Sequence, residues 1–331
     1  MRLHENQKLF RQAVQLTADG MQLPPIYVEK DYWVTFALHL VFNSPFSEDV
    51  IFKGGTALAK CFGLIERFSE DIDLVVLRRD GETDNQLKTK LKGISKLVGA
   101  VLPEIQVNTI TRKRGMHRKT AHSYQKVYVG EFGQIRDYIV LESGWLGYPY
   151  PNVSGMVSSF IYDAIRADDP QNIVGLYGLS PFEVKALEPN KTFCEKIMSL
   201  VRFSYSDNPI SDLALKVRHT YDLHQLLKNE RIMDFFKSKN FDATLIQVAE
   251  EDMLSFKNNK EWIRNHPNES LIFREPTSTW SLVKEAYLGK FKGQIFGDYP
   301  KPDEILATLR MIKNRMDQVS WSIREKQPKE K

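Results

Sequence analysis

Cysteine is nearly missing from this chain: 331 residues hold two, Cys61 and Cys194. Two thiols cannot build a disulfide framework, and a reducing cytosol is the natural setting. Histidine is also scarce, seven in all, with no HxxxH pair and no Cys/His cluster, which argues against a structural or catalytic zinc. No apolar run is long enough to span a membrane; the longest, Trp33 to Phe42, covers about half a span and carries Thr35 and His39. The opening MRLHENQKLF has no apolar signal-peptide core. Repeats and low-complexity tracts are absent, and neither sign of charge dominates, with 46 Lys and Arg against 42 Asp and Glu, net +4. That balance permits a polyanionic partner without demanding one. What remains is a soluble, cytoplasmic globular protein with no membrane partner.

Periodicity predicts helices over 5–19 and 27–42, the second with Val34, Ala37, Leu38 and Val41 at helical spacing. Val50–Lys53 reads as a short strand and Gly54-Gly55 as a turn, with Thr56 placed to cap a short helix ending near Gly63. A second strand is predicted from Asp71 to Leu77, then a polar turn at 79–84 and a helix to about Val101. Three β-type segments follow at 105–111, 123–130 and 135–142, and a loop rich in Gly, Pro and aromatics at 143–152. Farther on come a strand at 182–187, a Thr192-x-x-Glu195 capping box opening a helix to about Ser204, and a helix at 213–228. The remainder is helical, and its last helix carries Ile305, Leu309, Ile312, Met316 and Val319 on one stripe. The expected fold is α+β: N-terminal helices over 1–45, a core over 46–190, and a helical domain over 191–331.

The most informative segment is IFKGGTALAKCFGLIERFSEDIDLVVL. Side chains alternate along a strand, so Asp71 and Asp73 point the same way, ~7 Å apart along the backbone. Leu74-Val75-Val76-Leu77 follows directly, apolar on both faces as a buried strand is. Two carboxylates at the mouth of such a strand repel each other; a divalent cation removes that penalty, and all-oxygen donors suit magnesium. A bare DxD is more often a solvated strand end. Here it is preceded by Lys53-Gly54-Gly55-Thr56, a strand, a turn without side chains and a helix start, whose backbone amides can cradle phosphate oxygens. Glycine turn and DxD strand together make the two halves of a metal–triphosphate site.

These residues resemble a known family. Lys53-Gly54-Gly55-Thr56-Ala57-Leu58, followed by Arg67-Phe68-Ser69-Glu70-Asp71-Ile72-Asp73-Leu74, looks like the signature of AbiEii-type nucleotidyltransferases, the toxins of AbiE and MenT toxin–antitoxin pairs. Glu29-Lys30-Asp31-Tyr32-Trp33-Val34, Thr192-Phe193-Cys194-Glu195-Lys196 and Arg218-His219-x-Tyr221-Asp222-Leu223 are also similar to family segments. The spacing from glycine turn to DxD is longer than in the common nucleotidyltransferase motif but fits this subgroup.

The resemblance implies a DNA polymerase β-like core, a mixed sheet with flanking helices, plus a helical C-terminal domain contributing Lys196 and Asp222. It implies an NTP substrate, Mg2+ on Asp71 and Asp73, nucleotide contacts from Lys53, Gly54, Gly55, Thr56, Arg67 and Ser69, and catalytic roles for Asp71, Asp73, Lys196 and Asp222. Such sites commonly add a third carboxylate on a neighbouring strand; Glu142 is the candidate and Asp137 the alternative. By periodicity alone Lys196 sits at the edge of an apolar stripe, where a snorkelling side chain is the ordinary reading. Asp222 lies on the apolar side of its helix and must have a partner, either Arg218 one turn away or Lys196 and the nucleotide.

The family further implies a toxin acting in phage defence, a cognate antitoxin protein and an RNA acceptor such as the tRNA 3′ end. The basic stretch Arg112-Lys113-Arg114 with Arg118 and Lys119 suits the phosphates of that acceptor, and Trp145, Tyr148 and Tyr150 can stack on bases. The rival expectations are transfer to a protein or small molecule, and an inactive nucleotide- or RNA-binding module.

Overall fold

The computed structural model describes residues 1–130, 135–146, 149–169, 171–255 and 261–323. They form two compact units, one of Met1–Trp145 with Pro149–Leu187, the other of Leu146 with the residues from Glu188 onward.

The first unit holds helices α1 (Gln7–Met21), α2 (Pro25–Phe42), α3 (Gly54–Lys60), α4 (Asp84–Gly99), α5 (Phe160–Ile165) and α6 (Ile173–Tyr177). Its strands are β1 (Val50–Lys53), β2 (Asp71–Val76), β3 (Glu104–Ile105), β4 (Arg112–Arg114), β5 (His117–His122), β6 (Ile139–Gly144), β7 (Asn152–Val157) and β8 (Phe182–Leu187). Among the described residues they make one sheet of order β3-β5-β6-β2-β1-β8-β7, with β4 also on the outer edge of β5. The sheet is mixed: β2 runs antiparallel to β1 and parallel to β6, while β5 and β6 are antiparallel. Burial on both faces explains the unbroken apolar run of β2, since Ile72, Leu74, Val75 and Val76 are all buried.

The N-terminal helices, read from sequence as a segment ahead of the core, belong to this unit. Helix α2 is apolar around nearly its whole circumference, as a helix enclosed on all sides must be. Its three successive charges, Glu29, Lys30 and Asp31, are buried with it and each has a partner. Glu29 accepts the backbone N–H groups of Val127 (2.7 Å) and Tyr128 (3.0 Å). Lys30 pairs with Glu70, and Asp31 pairs with Lys60 at 2.6 Å and accepts the Phe160 N–H at 2.8 Å.

Several elements depart from the sequence-based expectation. The basic stretch left between two expected strands is the hairpin β4–β5, turned at Gly115 with φ +56. The segment expected as a strand over 123–130 forms none; its amides at 127 and 128 are satisfied by Glu29 rather than by a neighbouring strand. The strand expected over 105–111 shrinks to Glu104–Ile105, and β6 begins at Ile139 and runs into the expected loop. Strand β7 was hidden by its composition, Asn-Val-Ser-Gly-Met-Val, which is poor in strand formers at an edge that needs few.

The second unit is helical: α7 (Pro189–Phe203), α8 (Pro209–Leu215), α9 (Val217–Lys228), α10 (Glu230–Lys237), α11 (Lys239–Ser255), α12 (Leu271–Arg274), α13 (Pro276–Ala286) and α14 (Pro302–Met316). Helix α7 starts at Pro189, pre-set for a first turn, so Thr192 is buried inside it and the Thr192–Glu195 capping box does not form. The single helix expected over 213–228 is two, α8 and α9. No helix among the described residues is long and apolar enough to cross a membrane.

Ile72, fully buried between the two aspartates, anchors the strand that carries them. Ile72→Ala should lower the unfolding free energy by about 2–5 kcal/mol, read from the urea midpoint.

Candidate active site

The site is assembled around β2. Asp71 and Asp73 share one face of the strand by alternation, with Ile72 turned to the other. Register then sets the neighbours: Asp73 stands opposite Lys53 on β1 and opposite Glu142 on β6. Lys119 on β5 is next in the same row, and Arg112 on β4 follows it. One line across five strands thus reads Lys53, Asp73, Glu142, Lys119, Arg112.

The glycine turn lies against this line. Gly54 adopts φ +81, a backbone region that side chains disfavour, and a Cβ there would stand 2.5 Å from Oδ2 of Asp73. A Cβ on Gly55 would stand 2.7 Å from the guanidinium of Arg67 and 3.1 Å from Oγ of Ser69. Gly54 is needed because backbone and acid nearly touch, and Gly55 because a side chain there would crowd Arg67 and Ser69. Thr56, expected to cap the helix, instead donates its hydroxyl to the Asp71 carbonyl at 2.6 Å and stands 3.0 Å from the Ser69 hydroxyl. It ties α3 to the start of β2. Arg67 is buried, and its guanidinium donates to the Phe68 carbonyl at 3.1 Å. Lys53, Gly54, Gly55, Thr56, Arg67 and Ser69, the residues expected to contact nucleotide, therefore gather around the two aspartates.

Each carboxylate has its own electrostatic setting. Asp71 accepts from Arg136 at 2.7 Å; the same guanidinium reaches Glu70 at 3.2 Å, and Glu70 in turn pairs with the buried Lys30. Glu142 accepts from His117 at 2.8 Å on one oxygen and from Lys119 at 2.6 Å on the other. Burial by itself would raise the Glu142 acid, but those hydrogen bonds and charges outweigh it and hold it down to about 2. Asp73 is closely ringed by protein; burial, then repulsion from Glu142 and Asp71, pushes its acid up from 3.8 to about 7, against the pull of Lys53 and Lys119.

These donors fit a divalent cation: hard oxygens converge where repulsion is unrelieved, and a dication would let Asp73 ionise. Among the described residues the acids and histidines do not close into a ready cage of three, because Arg136, His117 and Lys119 hold Asp71 and Glu142. Asp137, the alternative third carboxylate, is exposed and paired with Lys126 at 2.7 Å, away from the row that contains Glu142.

The basic residues expected to meet RNA are divided by the hairpin. Lys113 and Arg118 share one face, where both pair with Glu104 and Arg118 also donates to Ser95 on α4 at 2.6 Å. Lys119 and Arg112 share the Asp73 face. The side chain of Arg114 and all of Tyr148 lie outside the described residues. Trp145 is half-buried and donates its backbone N–H to Met116, and Tyr150 is exposed.

In the second unit, Lys196 and Asp222 are both buried and meet at 2.6 Å. The snorkelling expected of a stripe-edge lysine does not occur, and Asp222 takes Lys196 as a partner. Arg136 and His117 were not foreseen as site residues. Their sequence signal is charge ahead of β6 and in the basic stretch; cross-strand register places His117 beside Glu142, and the contacts with Glu70 and Asp71 place Arg136.

A mixed sheet that sets a glycine turn against a DxD strand defines the class: the chain is a nucleotidyltransferase. More particularly, residues 39–307 match the family model "Nucleotidyl transferase AbiEii toxin, Type IV TA system", and the chain belongs to that family, the nucleotidyltransferase toxins of type IV toxin–antitoxin systems. Among solved structures it is similar to MenT4, a nucleotidyltransferase toxin from Mycobacterium tuberculosis, at 17% identity and a TM-score of 0.47 over 92% of this chain and 98% of that one. A comparison with curated protein sequences finds no match. Nucleotidyltransferases of this kind generally work with a divalent metal ion.

The raised acid of Asp73 has a thermodynamic signature. The metal-free folded chain keeps a proton there that the unfolded chain has lost, so stability should fall as pH rises from about 4 to about 7. Asp73→Asn should therefore raise the melting temperature of the metal-free protein at pH 8 and leave it nearly unchanged at pH 4. Added divalent metal should stabilise the wild type more at pH 8 than at pH 5.5, and Asp73→Asn at neither.

Proposed function

We propose that the chain is a magnesium-dependent transferase that moves NMP from an NTP onto an RNA hydroxyl, such as the tRNA 3′ end, with release of pyrophosphate. The observation that carries this reading is the position of Asp73, pressed by the bare backbone of Gly54 on one side and faced by Glu142 on the other. A triphosphate needs amide donors and a dication within a few ångströms of each other, and this corner supplies both kinds of contact.

In the proposed reaction the turn at Gly54-Gly55 receives triphosphate oxygens on its amides, with Ser69 and Arg67 beside them. Asp71 and Asp73 would hold magnesium, with Glu142 as third carboxylate next to them. When bound, the metal offsets charge at the α-phosphate and lowers the pKa of the attacking hydroxyl. The chain's own part is alignment: the acceptor oxygen attacks phosphorus, the bond to the leaving pyrophosphate breaks, and fixed geometry removes most of the entropic barrier. Transfer also requires Lys196, a cation suited to the charge of a transferring phosphoryl group, and Asp222, which holds it. As a toxin the protein would block RNA ends, and a cognate antitoxin would restrain it.

Incubating the protein with magnesium, total tRNA and each α-labelled NTP tests the reading directly. Label should enter tRNA with the wild type and fall by at least about 10²-fold in Asp71→Ala. Label on protein instead would move the acceptor from RNA to a protein hydroxyl. Nucleotide binding without transfer to any acceptor would sink the enzyme reading.

A second experiment separates fold from activity at Lys196. Lys196→Met alone leaves Asp222 buried without its lysine and should cost about 3–5 kcal/mol. The double variant Lys196→Met with Asp222→Leu should regain the stability and still fail to transfer.

A further inference from the structure

We propose that the acceptor's phosphate backbone crosses the sheet along the Asp73 face and is gripped at its far end by Arg112. This rests on the nucleic-acid acceptor reading above and adds the path of the strand and the residue that selects it.

The two faces of the hairpin β4–β5 differ in what their cations are doing. On one face Lys113 and Arg118 converge on Glu104, and Arg118 is further tied to Ser95 of α4. On that face both cations already have partners within the fold. On the other face the row runs from Asp73 through Glu142 and Lys119 to Arg112. Lys119 pairs with Glu142, and His117 hydrogen-bonds its other oxygen. Arg112 is exposed, and among the described residues its side chain makes no hydrogen bond or ion pair, its pairing with Lys119 being through the backbone ladder. It is the outermost member of a row whose inner end is the reacting centre.

Distance fixes what it would hold. From β2 to β4 is three strand steps, ~14 Å at the usual spacing. A stacked strand advances ~3.4 Å per nucleotide, so Arg112 stands about four nucleotides from the reacting end. A guanidinium there fits a phosphate of a single strand and lies out of reach of a mononucleotide or dinucleotide acceptor. The inference thus sorts acceptors by length: the chain should favour an end that continues as a strand, because only that end reaches Arg112.

Arg112→Gln and Lys113→Gln remove the same charge at adjacent positions on opposite faces, so long-range electrostatics changes equally and only the face differs. Binding of a fluorescent single-stranded octanucleotide and dinucleotide RNA would be followed by anisotropy across a salt series. With the octanucleotide, Arg112→Gln should weaken binding about five- to tenfold and reduce the salt slope by about one, while Lys113→Gln stays within about twofold of wild type. With the dinucleotide neither variant should differ from wild type. Equal effects of the two variants, an unchanged octanucleotide affinity in Arg112→Gln, or no octanucleotide binding by the wild type would each overturn the proposal. Label transfer to tRNA by the wild type, run alongside, keeps the two readings apart. Face-selective binding without transfer would sustain the surface and sink the RNA-acceptor function; transfer with octanucleotide binding indifferent to Arg112 would do the reverse.

Discussion

The first unit is organised by one electrostatic constraint: its sheet places Asp71, Asp73 and Glu142 on a single face with Asp73 and Glu142 on adjacent strands. At an interstrand spacing of ~4.8 Å and an effective dielectric of ~20, two such charges repel by about 3 kcal/mol. The three acids meet that repulsion differently. Glu142 stays ionised because His117 and Lys119 each supply a hydrogen bond. Asp71 stays beside Arg136. Asp73 has Lys53 across the ladder but also carries the burial and both acidic neighbours, and its acid rises to about 7. The unresolved charge is thereby concentrated on one residue, the one against which the glycine turn is pressed. A fold that leaves its electrostatic debt at a single atom group has made the place where a dication is most strongly favoured.

Holding that geometry falls largely to α2. Three consecutive charged residues on a helix point about 100° apart, so their partners lie in three directions. Glu29 goes to the amides at 127 and 128, Lys30 to Glu70 and the carbonyl of Arg136, and Asp31 to Lys60 on α3 and the amide of Phe160. Apolar packing would tolerate small rotations of α2, whereas three charge-assisted contacts at once do not. The middle contact continues outward: Lys30 holds Glu70, Glu70 shares Arg136, and Arg136 meets Asp71. The rotation of a buried helix is in this way tied to the position of the first catalytic candidate.

The second unit carries two buried ion pairs on α7, Lys196 with Asp222 and Lys191 with Glu251, the latter at 2.7 Å. Desolvating four charged groups is expensive, and apolar residues of similar volume would hold such helices together at least as well. Stability therefore does not account for them. Glu251 also accepts from Gln247 at 3.1 Å, so the Lys191 pair ties α7 to α11. For Lys196 and Asp222 the pairing fixes a buried lysine from behind by a carboxylate on the neighbouring helix.

What the sequence disclosed and what it hid follow from the range of the signals. Alternation along β2 put Asp71 and Asp73 on one face, helical periodicity turned Asp222 inward, and the two glycines marked a backbone approach; all three are local, and each stands in the structure where those patterns place it. The charged triplet Glu29-Lys30-Asp31 inside an apolar helix was visible as an oddity, but its partners lie between 29 and 129 residues away. The hairpin β4–β5 is not legible as strands because five basic residues in eight positions carry little strand propensity; cross-strand pairing with β6 overrides it. Thr56 and Thr192 both looked like caps, and both were taken for inward work because a glycine turn and a proline had already started their helices. Periodicity tells which way a side chain points, and register tells what it meets. His117 and Arg112 are in plain view in the sequence, and only the pairing of strands puts one beside Glu142 and the other at the end of the same row.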